Sequence, residues 1–289
     1  MAETKLLRGR VIKVISNHYQ VLLDNGEIVD AGIKGKVRLQ TSIVGGDFVE
    51  LEYIYEKYMI DTILERKNFL IRPPIANIDQ AIIVMSIVEP DFSPKLVDQL
   101  LFLVEYMDIT PVILVTKCDK EYKPYLMDLV DDYIKSGYKV IKTGKGDLLD
   151  NLIGVFDHKF SVLAGQSGVG KSTILNRINN EFNLETQAIS KALGRGKHTT
   201  RHVQLFPVNN GWVADTPGFS KLDFSHMDKE KLRDSILDFM GHHPCQFRDC
   251  MHVNEPNCEI KRLVDDKKIS TIRYNNYLEV LKLIDEKRR

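Results

Sequence analysis

Hydrophobic and polar positions alternate with a period of two through residues 7–66, in the runs "RVIKVI", "YQVLL", "EIVDAGI", "FVELEYIY" and "YMIDTIL". That is the pattern of half-buried strands. Turn signals separate the runs, Asp24-Asn25-Gly26 after the second and Gly45-Gly46 before the fourth. About five strands in roughly 60 residues predict a small barrel.

After "RPP" at 72–74 the texture changes. "QAIIVMSIV" and "PVILVT" are continuous apolar runs, as in strands buried on both faces, and an amphipathic stretch from Leu96 to Tyr106 lies between them. The alternation continues through the helical "KPYLMDLVDDYIKSG", the strands "YKVIKT" and "KFSVLAG", a helix opening at Lys171 and the strand "GWVAD". Strands alternating with helices predict a parallel sheet. From residue 228 the period is helical, with Leu232, Ile236 and Phe239 on one face. A cysteine-rich loop follows, then a helix with Ile269, Ile272, Tyr277, Val280 and Ile284 inward. The expected division is therefore multidomain: a barrel over 1–70, an α/β domain over 71–223 and a helical domain over 224–289.

A chain of 289 residues can fill cores in all three. Its 40 Lys and Arg balance its 40 Asp and Glu, so no global field draws it to nucleic acid and any such contact must come from a local patch. The opening "MAETKLLRGRVIKV" lacks the apolar centre of a signal peptide, and no run approaches the roughly 18 apolar residues of a membrane span. A cytoplasmic protein without membrane contact is expected. Of four cysteines, Cys118 stands apart while Cys245, Cys250 and Cys258 cluster, which suits a metal better than a disulfide framework.

The chemistry begins at "GQSGVGKST", Gly165-Gln166-Ser167-Gly168-Val169-Gly170-Lys171-Ser172-Thr173. It follows a strand and opens a helix, the context of a P-loop. Glycines let backbone N–H groups curl round phosphates at the positive end of the helix. Lys171 is placed to reach the β- and γ-phosphates and the Ser172 hydroxyl to ligate Mg²⁺. Thr116-Lys117-Cys118-Asp119, at the end of "PVILVT", matches the guanine-reading pattern [NT]-K-x-D. Asp119 can accept from guanine N1–H and its exocyclic amine, with Lys117 over the base; adenine lacks that donor pair, which favours GTP. Thr143-Gly144-Lys145 falls where a loop would back the base. In "DTPGF", Asp215 ends a strand where it can hold Mg²⁺ through water, and the Gly218 N–H can meet the γ-phosphate.

The base motif thus precedes the phosphate motif. One nucleotide site whose chain has been circularly permuted explains that order, since native termini are often neighbours in space. Between the phosphate loop and "DTPGF", the segment "SKALGRGKHTTRHVQLF" is basic and expected to be mobile. Thr200, with adjacent Thr199 as the alternative, is expected to close over Mg²⁺ and the γ-phosphate. Phe219 occupies the position where many GTPases carry a water-orienting glutamine, so slow intrinsic hydrolysis is expected. His198 is a candidate to orient or deprotonate the water, with solvent exposure or RNA contact as the alternatives.

Cys245, Cys250, His252 and Cys258 read C-x₄-C-x-H-x₅-C, a ligand set for tetrahedral Zn²⁺ with no open position. From spacing alone, His242 or His243 could replace His252. In the barrel, Tyr19 with Lys34, Lys36 and Arg38 could stack on and neutralise RNA, or be a core tyrosine beside a solvated basic turn.

A base-first GTPase order between a small barrel and a cysteine–histidine cluster resembles the RsgA (YjeQ/YloQ) family of circularly permuted ribosome-biogenesis GTPases, over essentially the whole chain. The resemblance implies an N-terminal OB-fold, a central circularly permuted P-loop GTPase domain and a C-terminal helical zinc-binding domain. It also implies GTP/GDP, Mg²⁺ and one structural Zn²⁺ as ligands, and supports His198 as a catalytic group beside Lys171 and Thr200. The implied partners are the small ribosomal subunit and its rRNA, bound by a monomer late in subunit maturation. Two other readings stay open: a GTP-regulated protein that grips a protein partner, and a zinc enzyme regulated by GTP.

Overall fold

A computed structural model describes residues 6–16, 18–38, 42–71, 73–179, 204–215 and 222–287. In chain order the first elements are β1 (Leu7–Ile15), β2 (His18–Leu23), β3 (Ile28–Ile33), α1 (Gly35–Arg38), β4 (Phe48–Ile54), β5 (Lys57–Ile63), β6 (Phe69–Ile71) and β7 (Pro74–Ala76). Then come β8 (Gln80–Ser86), α2 (Pro94–Tyr106), β9 (Thr110–Thr116), α3 (Pro124–Lys135), β10 (Lys139–Lys142), α4 (Asp150–Ile153), β11 (Phe160–Ala164) and α5 (Lys171–Ile178). The last are β12 (Gln204–Val208), β13 (Gly211–Asp215), α6 (Lys229–Ser235), α7 (Glu259–Asp265) and α8 (Thr271–Lys287). Two compact units emerge, one of Met1–Asp79, Ile153–Leu163 and Leu175–Phe219, the other of Gln80–Leu152, Ala164–Ile174 and Ser220–Arg289.

In the first unit β1-β2-β3-β5-β4 close a barrel, as the alternation predicts. Alternate residues point inward, so Val11, Val21, Val29, Val49, Leu51 and Ile60 form a dry core. Gly46 is at φ +88°, and a Cβ there would lie 2.1 Å from the Ala76 carbonyl oxygen, so only glycine fits this close passage. Beside it the buried Asp47 accepts two hydrogen bonds from Arg66, at 2.7 and 2.9 Å, and one from the Val44 N–H at 2.9 Å. The strands β6 and β7 pair as a short ribbon around the "RPP" stretch. β13 runs parallel to β11 and antiparallel to β12. The strand β12 corrects the expectation of a mobile segment reaching to "QLF": from Gln204 the chain forms ladder hydrogen bonds with β13.

In the second unit β8, β9 and β10 pair in parallel. All of β8 is buried, the reason its apolar run is continuous rather than alternating. Helix α2 is capped by the Ser93 hydroxyl, which accepts from the Leu96 N–H, and starts on Pro94.

Two helical expectations change. Leu232, Ile236 and Phe239 do not share one helix: α6 ends at Ser235, Ile236 is extended (φ −72°, ψ 121°) and a 3₁₀ turn follows over Leu237–Phe239. Ile272 is 45 % exposed, and Arg273 and Asn276 take the inner face beside Tyr277, Val280 and Ile284. The physical reason is a buried polar seam. Arg273 pairs with Asp238 and reaches Ser136 Oγ at 2.7 Å and Asp132 at 3.3 Å. Asn276 donates to Asp98 at 2.6 Å, and Asp98 also accepts from the Tyr133 hydroxyl at 2.7 Å. Groups with such partners can sit where an isoleucine was expected. Among the described residues no helix is long and apolar enough to cross a membrane.

Candidate nucleotide site and metal centre

The phosphate loop runs from the end of β11 to α5. Gly165, Gly168 and Gly170 have φ of +139°, +86° and +101°, and a Cβ on Gly165 would stand 2.2 Å from the Val84 carbonyl oxygen of β8. The loop can take this shape only with glycine there. Lys171 Nζ donates to the Gly165 and Gln166 carbonyl oxygens, at 2.8 and 2.7 Å, folding the cation across the loop mouth. Val169 is buried, whereas Ser167 and Thr173 are exposed and Ser172 is half-buried in the first turn of α5.

The end of β9 lies against this loop. Thr116 Oγ1 donates to the Val169 carbonyl oxygen at 2.6 Å, so the segment expected to read the base and the loop expected to hold phosphates are joined directly. Its neighbour Lys117 is at φ +60° and donates through Nζ to the Glu89 carbonyl oxygen, while Glu89 also pairs with Lys120. The backing loop is held by Thr143 N–H to Val115 O at 2.8 Å and Cys118 N–H to Thr143 O at 3.2 Å. Asp119 Oδ1 accepts from the Lys145 N–H at 2.8 Å, which holds its carboxyl below the usual range and keeps it an ionised acceptor. Gly144 passes so near that a Cβ there would be 2.9 Å from Asp119 Cβ. The Gly144 N–H donates to Asp147 at 2.6 Å. Nothing in the motif spacing pointed to Glu89 or Asp147; both act through loops whose course only the fold defines.

The structure thus brings together Thr116, Lys117, Asp119, Thr143, Gly144, Lys145 and the loop Gly165–Thr173. Asp215 ends β13, described by its backbone alone. His198, Thr199, Thr200, Gly218 and Phe219 lie outside the described residues.

At the other chemical centre, Cys245, Cys250, His252 and Cys258 place their donor atoms within 4.8 Å of one another. His252 Nδ1 is 3.6, 3.4 and 3.3 Å from the three sulfurs, and Cys245 Sγ is 3.9 Å from Cys258 Sγ. Tetrahedral Zn²⁺ with ordinary bond lengths requires about 3.6 Å for N···S and about 3.8 Å for S···S. The residues fit the ion. Burial, with a smaller contribution from Arg233, pulls the His252 imidazole down to about 4, leaving it neutral as a ligand must be. His252 therefore fills the position that spacing left open, while His242 Nε2 lies 3.0 Å from the Asp238 carbonyl oxygen. The ligand loop is tied to α8 by Tyr274 Oη to His252 O at 2.6 Å and Tyr277 Oη to Met251 O at 2.9 Å. Cys258 also caps α7, accepting from the Lys261 N–H at 3.5 Å.

Comparison with known proteins decides what these centres belong to. The RsgA GTPase family model matches residues 63–225. The small ribosomal subunit biogenesis GTPase RsgA 2 of Oceanobacillus iheyensis is 47 % identical over 98 % of this chain and 99 % of its own length. This chain belongs to the RsgA GTPase family. The small ribosomal subunit biogenesis GTPase RsgA of Staphylococcus aureus is 44 % identical, covering 97 % of this chain and 98 % of that one. Among solved structures, YloQ, described as a circularly permuted GTPase, superposes with a TM-score of 0.83 at 34 % identity, covering 100 % of this chain and 98 % of YloQ. YjeQ from Thermotoga maritima gives 0.82 at 33 % identity, over 97 % and 99 %. As an RsgA GTPase the chain uses GTP, GDP and Mg²⁺, and its cysteine cluster suits one structural zinc.

The RNA-stacking role considered for Tyr19 is corrected: its ring is 7 % exposed within the barrel core. Lys34 is bound to Glu52 at 2.7 Å and Asp61 at 2.6 Å, with its ammonium pKa raised by these two acids. Nothing is described of the Lys36 and Arg38 side chains.

Proposed function

We propose that this protein binds the small ribosomal subunit in the cytoplasm as a monomer and assists its late maturation, with GTP hydrolysis as the release signal. The observation that carries the reading is the Thr116–Val169 hydrogen bond of 2.6 Å, which makes one site of two motifs in permuted order. The relatives' full-length similarity supports the small subunit as the partner. The work is divided among an OB-fold over 1–70, the GTPase domain over 71–223 and the zinc domain over 224–289.

In this reading Asp119 accepts from the guanine edge, Lys117 covers the base, and Thr143-Gly144-Lys145 back it. Backbone N–H groups of Gly165–Thr173 wrap the phosphates. Lys171 leaves the two carbonyls that now hold it and turns to the β- and γ-phosphates, a motion of its flexible stem alone. Ser172, Thr200 and Asp215 would hold Mg²⁺, which neutralises charge developing on the transferred phosphoryl group. His198 orients the water in place of the missing glutamine, and the Gly218 N–H meets the γ-phosphate. The rRNA contacts come from the barrel and the zinc domain.

The test is GTP hydrolysis with and without purified small ribosomal subunits, beside a Lys171→Ala control. Strong stimulation by the subunit, lost in the control, is expected. Turnover indifferent to the subunit would replace this reading with a switch that grips a protein partner.

A further inference from the structure

The loop after β10 is closed by a residue that belongs to none of the nucleotide motifs. Gly146 is at φ +95°, a backbone conformation that favours glycine, and it turns the chain back on itself. The Asp147 carboxylate then accepts from the N–H of Gly144, three positions earlier, at 2.6 Å. An aspartate in a turn more often bonds forward, to an N–H two residues on. Here the contact runs backward, and the chain is anchored just beyond it by the buried Leu149.

The closure fixes one peptide plane. The peptide between Thr143 and Gly144 is held at both poles: its carbonyl accepts from the Cys118 N–H at 3.2 Å, and its N–H donates to Asp147. The next peptide carries the Lys145 N–H, which donates to Asp119 Oδ1 at 2.8 Å. The two planes meet at the Cα of a glycine, the residue with the most freedom to swing. Pinning the first plane therefore sets the direction of the second.

Asp119 depends on that direction. It is exposed, so packing does not select its rotamer, and the Lys145 N–H is the donor that holds its carboxylate from across the loop. A carboxylate that must meet two donors on the edge of a base has to be aimed, because hydrogen bonds weaken steeply with misalignment. The chain of contacts from Asp147 through Gly144 and Lys145 to Asp119 supplies the aim.

We propose that Asp147 is a positioning residue for guanine specificity, fixing the backing loop so that Lys145 orients the Asp119 carboxylate. The proposal rests on the reading of Asp119 given above and adds a residue that acts through the loop alone. Such a role has its own signature. Loosening Asp119 weakens its bonds to the base and leaves the phosphate contacts as they were, so a nucleotide that makes fewer bonds to Asp119 loses less affinity.

The experiment is equilibrium titration of the full chain with GDP and with inosine diphosphate, which differs from GDP only in lacking the exocyclic amine. Wild type is expected to prefer GDP about 10- to 100-fold, the contribution of one charge-assisted bond. Asp147→Ala is expected to reduce that preference about 3- to 10-fold, and Asp147→Asn, whose amide oxygen can still accept from the Gly144 N–H, to keep it. In an Asp119→Asn background, Asp147→Ala should change the preference no further. If Asp119→Asn loses the preference and Asp147→Ala keeps it, the proposal is overturned and the base-reading role of Asp119 stands. Equal losses of GDP and inosine diphosphate affinity in Asp147→Ala also overturn it, because a merely structural contact acts on both alike. So does an asparagine variant that behaves as alanine does, or an Asp147→Ala effect that persists in the Asp119→Asn background. If Asp119→Asn itself keeps the wild-type preference, the base-reading role falls and this proposal falls with it.

Discussion

The nucleotide site and the cysteine cluster lie in the same compact unit, yet they are held in opposite ways. The nucleotide site is backbone on a buried scaffold. Its glycines, carbonyls and N–H groups extend from the ends of β9, β10 and β11, and Lys171 donates to two carbonyls of its own loop. The cysteine cluster is side chains around a small core of Ile260, Leu263, Val264 and Ile269. Its four donor atoms converge within 4.8 Å of one another, an arrangement that a shared metal ion holds together. The first site takes its shape from the buried strands beneath it. The second takes its shape from the side chains that a metal ion would join.

Removing the metal breaks this comparison most severely. Structural zinc contributes about 10 kcal/mol or more to small domains. Chelation, or Cys258→Ser, should therefore abolish hydrogen-exchange protection around residues 245–269 while β8–β10 keep theirs. Protection that survives in a preparation shown to be metal-free would mean the small core suffices.

Asp119→Asn acts on the other site with a smaller effect. Two charge-assisted bonds to guanine are weakened, for an expected loss of about 10²- to 10⁴-fold in GTP and GDP affinity at unchanged secondary structure. Equal affinity by titration calorimetry would remove the base-reading role. Loss of fold would show that this site, too, depends on its side chains.

The smallest effect belongs to the seam that packs α8 against α2 and α3. Glu105 in α2 is 8 % exposed, and burial pushes its carboxyl from the ordinary 4.5 up to about 8, with Asp238 adding to the shift. Its other neighbours are Tyr138, the Leu237 N–H and Arg273, each of which favours the carboxylate. Between pH 4.5 and about 8 the folded chain holds a proton that the unfolded chain has released. Stability therefore falls as pH rises through that window, by up to about 1.4 kcal/mol per unit, and levels off above it. Asp98, raised to about 6 mainly by burial, acts with the same sign at lower pH. Glu105→Gln should be more stable than wild type at pH 8 and should lose much of the difference between pH 6 and pH 8 in urea unfolding. Parallel pH dependences in the two proteins would mean that Glu105 relaxes to solvent when it ionises.

Much of this was legible in the chain itself. The barrel strands and the buried run of β8 follow directly from apolar spacing, and the phosphate loop and Asp119 follow from motifs that sit at strand ends. The failures share a cause. Ile272, expected inward, is exposed while Arg273 is buried, because Asp238, Asp132 and Ser136, far away in sequence, gave the guanidinium partners. Tyr19 was available to RNA in the sequence and is core in the fold. Tyr55 looked like the end of a strand, and only the pairing of Ile54 with Lys57 makes it a turn tip.

By itself, then, the sequence determined the centres whose chemistry is local: a glycine loop that only certain φ values allow, a carboxylate three residues beyond a strand, and three thiols and an imidazole within 14 residues, from Cys245 to Cys258. Tertiary structure favoured His252 over its alternatives His242 and His243, and it alone decided that Thr116 bonds the phosphate loop and which aromatic and charged side chains face water. Those choices depend on partners contributed by segments up to 178 positions apart, as between Asp98 and Asn276. A periodicity within one segment carries no information about such partners, because their energy exists only once the segments meet.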